Sequence, residues 1–263
     1  MSSRALDQFY TQRDIAAGCV ADVRRFLACR PDSWLWIEPS AGDGAFLEAM
    51  PFPRIAIDVA PKSRDVSCMD FLLWNPGRAT RKMVFIGNPP FGKNSSLARR
   101  FFDHAARFGD IVAFILPRTF QKQAFIDRLH PNMHLMFERV LAEDSFLFED
   151  EVYRVPTVFQ IWEKRSLARP KIARRFSHDH FSFVSASIAD FAFQRVGARA
   201  GLVSREGLAK SPQSHYFLKS HIAPSNLFER LAALDWNAVK WRTAGNPSIG
   251  KGELVAAYAQ SHG

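Results

Sequence analysis

Short apolar runs separated by helical patterns are the feature that most constrains the fold of this chain. Four such runs each stop at a polar residue, a glycine or a proline: residues 35–37 before Glu38, 55–57 before Asp58, 83–86 before Gly87 and 111–116 before Pro117. Helical spacing of apolar residues fills 45–50 and 96–108, the latter with Ser95 at the N-cap position. Alternation of this kind predicts a parallel sheet covered by helices on both faces, with ligands bound beyond the carboxyl ends of its strands.

The later part of the chain has a different pattern and a different charge. Residues 152–155 and 157–162 favour strands and predict a late hairpin or two adjacent strands. Residues 1–163 carry 20 basic and 20 acidic side chains, whereas residues 164–263 carry 15 basic and 6 acidic ones, so the net charge of +9 lies in the last hundred residues. This asymmetry predicts a catalytic domain over 1–165 and a basic region over 166–263 that meets a polyanion.

Several classes of protein are disfavoured by the composition. No apolar run approaches the length of a membrane-spanning helix, and the first residues lack the apolar core of a signal peptide, so we expect a cytoplasmic protein with no membrane partner. The three cysteines form no C-x-x-C pair, which favours reduced thiols and gives no support for a metal site.

Polar residues at the strand ends predict a nucleoside site. Gly42 and Gly44 lie in a turn from strand to helix, where the absence of a Cβ lets a ligand approach the backbone. A dinucleotide fingerprint would need a third glycine at position 47, which is Leu47, so pyrophosphate binding is the weaker interpretation. Asp58, at the end of the next strand, is expected to accept hydrogen bonds from ribose hydroxyls. Asp70 is expected to accept a hydrogen bond from an exocyclic amine.

The tetrapeptide Asn88-Pro89-Pro90-Phe91 is the strongest candidate for chemistry, since it directly follows a buried strand. Consecutive prolines fix φ and leave carbonyl groups without local amide partners. The side-chain oxygen of Asn88 and the backbone oxygen of Pro89 are predicted to accept the two N–H groups of an exocyclic aromatic amine, while Phe91 stacks on the base.

These motifs resemble the class I S-adenosylmethionine-dependent methyltransferases of the N6-adenine type. Their order is similar to that of the gamma-class DNA enzymes and also to that of the adenosine N6-methyltransferases that act on RNA. The resemblance covers residues 1–163 and implies an α/β fold: a Rossmann-like seven-stranded methyltransferase sheet, here with a small basic C-terminal extension. It also implies S-adenosylmethionine as cofactor and methyl transfer to adenine in nucleic acid, with DNA favoured over RNA. The cofactor-binding residues that it implies are Phe9, Tyr10, Thr11, Glu38, Ser40, Gly42, Gly44, Asp58, Asp70, Phe71 and Asn88.

Contacts to the nucleic acid are predicted at six further residues. Lys93 and Arg118 follow strands at the same rim of the sheet, and Phe146 or Phe148 is where relatives hold an aromatic residue against the extruded base, although core packing explains these two phenylalanines equally well. Arg174 and Arg175 lie in a basic stretch interleaved with aromatic residues, which suits phosphates and bases but also a solvated surface.

Other functions remain open from the sequence. Similar tetrapeptides occur in enzymes that methylate adenosine in RNA, guanine N2 in ribosomal RNA or a glutamine side chain, and a non-catalytic nucleic-acid-binding subunit could keep the same fold. The basic C-terminal region disfavours a protein substrate. The target sequence, the strand state of the substrate, the oligomeric state and any accompanying nuclease are not specified by the sequence.

Overall fold

The computed structural model describes residues 10–30, 33–78, 80–148, 151–243 and 245–262, without the side chains of Phe148 and Tyr153. The chain forms two compact units, and it passes from the first to the second between Pro170 and Lys171. Among the described residues, no helix combines the length and the apolar character needed to cross a bilayer.

A seven-stranded sheet forms the centre of the first unit. Its strands in chain order are β2 (Trp34–Glu38), β3 (Arg54–Asp58), β4 (Ser67–Cys68), β5 (Lys82–Gly87), β6 (Ile111–Pro117), β7 (Met133–Val140) and β10 (Thr157–Lys164). Their order across the sheet is β4-β3-β2-β5-β6-β10-β7, with β10 antiparallel to both of its neighbours and the strands from β4 to β6 parallel. This confirms the Rossmann-like seven-stranded methyltransferase sheet predicted from the sequence.

Both faces of the sheet are buried, as its continuous apolar strands require. Along β5, Val84 and Ile86 belong to one core, and Met83 and Phe85 to the other. The first core includes residues of helix α1 (Arg13–Leu27), and the second includes residues of helix α3 (Ser96–Phe108). The helices of this unit are α1 (Arg13–Leu27), α2 (Ala45–Ala49), α3 (Ser96–Phe108) and α4 (Gln123–Ile126).

The predicted late hairpin is wrong, whereas the N-cap position of Ser95 is confirmed. The segments at 152–155 and 157–162 do not pair with each other, because β9 (Glu151–Tyr153) pairs with β8 (Phe146–Phe148), which also pairs with β1 (Tyr10–Thr11). Strand β10 is buried over Thr157–Trp162 and lies between β6 and β7. Ser95 precedes α3 as expected, but its hydroxyl makes no capping hydrogen bond and its φ is +61°.

The second unit has its own sheet and its own core. Four antiparallel strands lie in the order β11-β14-β12-β13 and are packed with three helices around buried residues such as Phe193, Leu218 and Leu254. The elements are β11 (Phe181–Phe183), β12 (Phe191–Gln194), β13 (Val203–Ser204), β14 (His215–Ser220), α5 (Pro224–Ala232), α6 (Asn237–Lys240) and α7 (Lys251–His262).

Candidate functional site

A cavity of about 530 Å³ lies where strands β2, β3 and β5 end. This is the edge of the sheet at which the topology predicts a ligand. The predicted site residues that line it are Tyr10, Thr11, Glu38, Ser40, Gly42, Asp58, Asp70, Phe71, Asn88, Pro90 and Lys93. The structure therefore brings together residues that are up to 83 positions apart in the sequence, from Tyr10 to Lys93.

The loop after β2 requires glycine at position 42. Gly42 has a φ of +51°, and a Cβ built on it would lie 2.9 Å from Cε1 of Tyr10. Its amide donates a hydrogen bond of 2.8 Å to Oδ2 of Asp58, while the amide of Ala60 donates one of 2.8 Å to Oδ1. These two bonds fix the Asp58 carboxylate at the cavity, and each oxygen keeps a further acceptor position.

Asp70 is oriented by the turn that follows it. Its Oδ1 accepts a hydrogen bond of 2.8 Å from the amide of Leu72, at the start of a short 3-10 helix over Phe71–Leu73. Phe71 is buried beneath, with its ring centroid 5.3 Å from that of Phe101, and both phenylalanines line the cavity. An exposed carboxylate beside an aromatic wall suits a planar heterocycle that carries an amino group.

The Asn88 turn is tied to the glycine loop by one side chain. The Ser40 hydroxyl donates a hydrogen bond of 3.0 Å to the backbone carbonyl of Asn88. Asn88 and Pro90 line the cavity, whereas Pro89 is buried and Phe91 packs against the core on the α3 side. Of the tetrapeptide, two residues therefore face the cavity.

Glu38 is a buried carboxyl group in the cavity wall. It is 1% exposed, and its Oε2 has no hydrogen-bond partner among the described residues. Burial raises the pKa of Glu38 well above its ordinary value; a backbone hydrogen bond from Leu47 and a weaker one from Phe46 oppose this, and the charges of Asp43 and Asp58 add to it. A cationic group bound in the cavity would shift Glu38 towards its ionised form.

Several residues of the wall were missed by the sequence analysis. Leu97, Arg100 and Phe101 all come from the first turns of α3, directly after the Asn88 turn. Their spacing of three and four residues places them on one face of that helix, so helical periodicity alone was a sufficient signal. Gly92, with a φ of +67°, also lines the wall and would bring a Cβ to 2.7 Å from that of Leu97.

Other predicted site residues do not line this cavity. Gly44 is the N-cap residue of α2 and has a φ of +87°, which explains a glycine there without a ligand. Phe146 is fully buried in the core beside α1, so for this residue the packing interpretation is correct and contact with a base is not. Arg118 follows β6 and is half-buried.

The remaining predicted residues lie elsewhere in the chain. Arg174 and Arg175 are exposed residues of the second unit. Phe9 and the side chain of Phe148 fall outside the described residues.

Comparison with known proteins adds similarities of fold. No protein-family model and no curated protein matches the sequence. Among solved structures, a Pyrococcus horikoshii protein provisionally assigned as an RNA methyltransferase is similar over 62% of this chain and 91% of its own, at 15% identity and a TM-score of 0.48. The 23S rRNA methyltransferase ErmE covers 61% of this chain and 71% of its own, at 14% identity and a TM-score of 0.44.

The plantazolicin methyltransferase BpumL, solved in complex with SAH, covers 58% of this chain and 83% of its own, at 9% identity and a TM-score of 0.39. The first unit has a class I methyltransferase fold. Its strand order and reversed β10 show this directly. At such identities and TM-scores the similarities do not extend to substrate.

Proposed function

We propose that this chain transfers a methyl group from S-adenosylmethionine to the N6 amine of adenine in nucleic acid. The observation that carries the proposal is the shared cavity, which is lined both by strand-end carboxylates suited to a nucleoside and by Asn88 and Pro90 of the turn suited to an aromatic amine. Neither feature alone would distinguish a nucleotide-binding protein from a methyltransferase.

The residues present fit the cofactor. Asp58 would accept hydrogen bonds from the ribose hydroxyls of the cofactor, and Asp70 would accept one from the exocyclic amine of the cofactor's adenine. Phe71 would lie against the adenine ring. The buried Oε2 of Glu38, which has no hydrogen-bond partner in the described part of the chain, suits a cationic ligand, and Gly42 leaves room where a Cβ would collide with Tyr10. S-adenosylmethionine, when bound, supplies an electrophilic methyl group on a sulfonium.

Asn88 is the proposed catalytic residue. An exocyclic aromatic amine is a poor nucleophile because its lone pair is delocalised into the ring. Hydrogen bonds from its two N–H groups to the Asn88 side-chain oxygen and the Pro89 carbonyl would localise that lone pair on nitrogen. No strong base is needed, and orientation supplies most of the acceleration.

DNA is the proposed substrate, with RNA as the alternative that the experiment decides. The motif order is similar to that of the gamma-class DNA enzymes and also to that of RNA adenosine N6-methyltransferases, so the choice between the two nucleic acids rests on the experiment. The excess of 15 basic over 6 acidic side chains in residues 164–263 supports binding of either nucleic acid, because phosphate contacts are independent of sequence. In a duplex the target base would have to leave the stack, at a cost of about a few kcal/mol.

The test is incubation with labelled S-adenosylmethionine and separate pools of DNA and RNA, followed by mass spectrometry of the nucleosides. We expect N6-methyladenine in the DNA pool. If RNA is the substrate instead, N6-methyladenine should appear in the RNA pool. Asn88→Ala should reduce transfer at least about a thousandfold with little change in cofactor affinity by calorimetry. Asn75→Ala, at a second Asn-Pro pair outside the cavity wall, is the matched control. Methylation of guanine or of protein instead, or near wild-type turnover of Asn88→Ala, would contradict the proposal.

A further inference from the structure

A second cleft lies within the second unit and has no role in the function proposed above. Its volume is about 560 Å³, within the range of small-molecule sites. The wall is formed by the segment around β13 and by the first residues of α5. It belongs to the second unit alone, so its chemistry can be argued without the first.

The floor of this cleft is apolar and partly aromatic. Phe191 of β12 is buried, and the ring of Phe228 meets it edge-on, with centroids 5.8 Å apart and an interplanar angle of 88°. Leu202 also lines the cleft and is 41% exposed, so its side chain is accessible to a ligand there. Such a surface suits a flat aromatic ligand.

The rim of the cleft carries four charged side chains. The hydrogen bond from Lys219 does most to lower the pKa of Asp190, and the charge of Arg205 on the rim also contributes. Arg199 and Arg205 are exposed, and neither side chain makes a hydrogen bond or an ion pair with any residue that the structure describes. The same holds for Glu206 and Glu229 on the same rim. By contrast, Lys219 of this unit is paired with Asp190 at 2.8 Å. The arginines of the rim are therefore available to a ligand.

We propose that this cleft binds a nucleotide. The two guanidinium groups would hold its phosphate, since Arg matches phosphate oxygens with paired donors. Phe228 and Leu202 would contact the base, and Glu206 or Glu229 would accept hydrogen bonds from ribose hydroxyls or an exocyclic amine. A nucleotide fits better than two simpler ligands. Inorganic phosphate would make no contact with the apolar floor, and an apolar ligand would make no use of the four charged side chains on the rim.

The start of α5 adds to the same site. Pro224 and Ser225 lie in the wall, and the Ser225 amide has no acceptor among the described residues. A free amide at a helix N-terminus favours an anion there, but the cleft and its two rim arginines define the site. The inference does not require methyl transfer by the first unit, because a nucleotide would bind this cleft whatever substrate the enzyme modifies.

A nucleotide of this kind can come from solution or from a nucleic-acid chain, and the experiment distinguishes the two sources. The full chain is titrated with adenosine 5′-monophosphate and with 12-nucleotide single strands of DNA and RNA. The test variant is Arg199→Ala with Arg205→Ala. The matched control is Arg230→Ala, which removes a guanidinium from α5 outside the cleft.

We expect the double variant to weaken oligonucleotide binding at least about tenfold and to lower the salt slope by about 0.7, the value for the one single-strand phosphate that the two arginines would hold. Arg230→Ala should stay within about twofold of wild type. Loss confined to the free mononucleotide would identify a soluble nucleotide as the source. If the double variant binds all three probes as well as Arg230→Ala does, the proposal is overturned.

A second readout separates the cleft from general charge effects. Oligonucleotides that carry 4-thiouridine are irradiated with the protein, and the crosslinked peptides are mapped by mass spectrometry. Crosslinks within residues 199–206 or 224–229 would support the site, and Phe228→Leu should reduce them while keeping the apolar floor. Crosslinks exclusively elsewhere would contradict it. Cofactor binding, measured separately, reports on the first unit and remains intact if only this inference fails.

Discussion

At the scale of single residues, Glu38 shows what the sequence can and cannot predict. Its place at the end of a short apolar run was sufficient to assign it to the ligand edge of the sheet, where it does lie. Its complete burial, with an Oε2 that has no hydrogen-bond partner among the described residues, was not predictable, because it depends on tertiary contacts such as that with Gly87, where a Cβ would lie 3.4 Å from Cγ of Glu38. Phe146 was ambiguous for the same reason, since an aromatic residue in a strand suits a core or a base.

Burial of Glu38 predicts a specific dependence of stability on pH. The folded chain keeps a proton on Glu38 above pH 4.5, the ordinary value, where the unfolded chain has lost it. Above that pH the free energy of unfolding therefore falls as pH rises, by up to about 1.4 kcal/mol per pH unit, until the folded-state pKa is passed. Glu38→Gln has no proton to lose, so its stability relative to wild type should rise with pH in urea denaturation between pH 5 and 8.

Glu143→Gln, which removes an exposed carboxyl group, is the matched control for this measurement. A difference between Glu38→Gln and wild type that stays constant over the whole pH range would show that Glu38 does not titrate as a buried group.

At the scale of elements, the sequence predicted most closely those strands that are buried on both faces. The bounds of β5, β6 and α3 agree with the apolar runs and the helical spacing to within a residue. The pairing of strands was less predictable than their bounds. Strands β9 and β10 follow each other in the sequence, but Pro156 lies between them. Only β10 is apolar enough for a place in the interior of the large sheet. Strand β9 instead extends the small sheet of β1 and β8, with Glu151 and Val152 exposed.

The hydrogen bond from Ser40 to the Asn88 carbonyl joins two loops that follow neighbouring strands, and it yields a prediction for catalysis. Ser40→Ala removes the donor, so the turn after β5 should lose part of its fixed position, with a cost of about 1 kcal/mol in the transition state. We expect kcat to fall about fivefold with a smaller change in cofactor affinity. Ser40→Thr, which keeps the hydroxyl, should recover most of the rate. Equal rates for the alanine and threonine variants would show that the hydrogen bond has no positioning role.

At the scale of the whole molecule, the distribution of charge was readable from the sequence, whereas its use was not. The count of basic residues after position 163 predicts a polyanion partner, but it does not say which cations are free to bind one. The structure separates Lys219, which is paired with Asp190, from Arg199 and Arg205, whose side chains make no hydrogen bond or ion pair with any described residue. Side-chain partners of this kind depend on tertiary contacts that composition does not record.

The same charge asymmetry predicts how binding of the full chain to a DNA duplex responds to salt. Each phosphate contact releases counterions, so the affinity should fall at least about tenfold between 50 and 200 mM salt. Arg174→Ala with Arg175→Ala should lower the slope by about 1.8 if both arginines contact phosphates, as the sequence predicts. Arg78→Ala with Arg81→Ala removes two exposed arginines from the charge-balanced part of the chain and should leave the slope unchanged. Equal slopes for the two double variants would assign the phosphate contacts to surfaces other than residues 174 and 175.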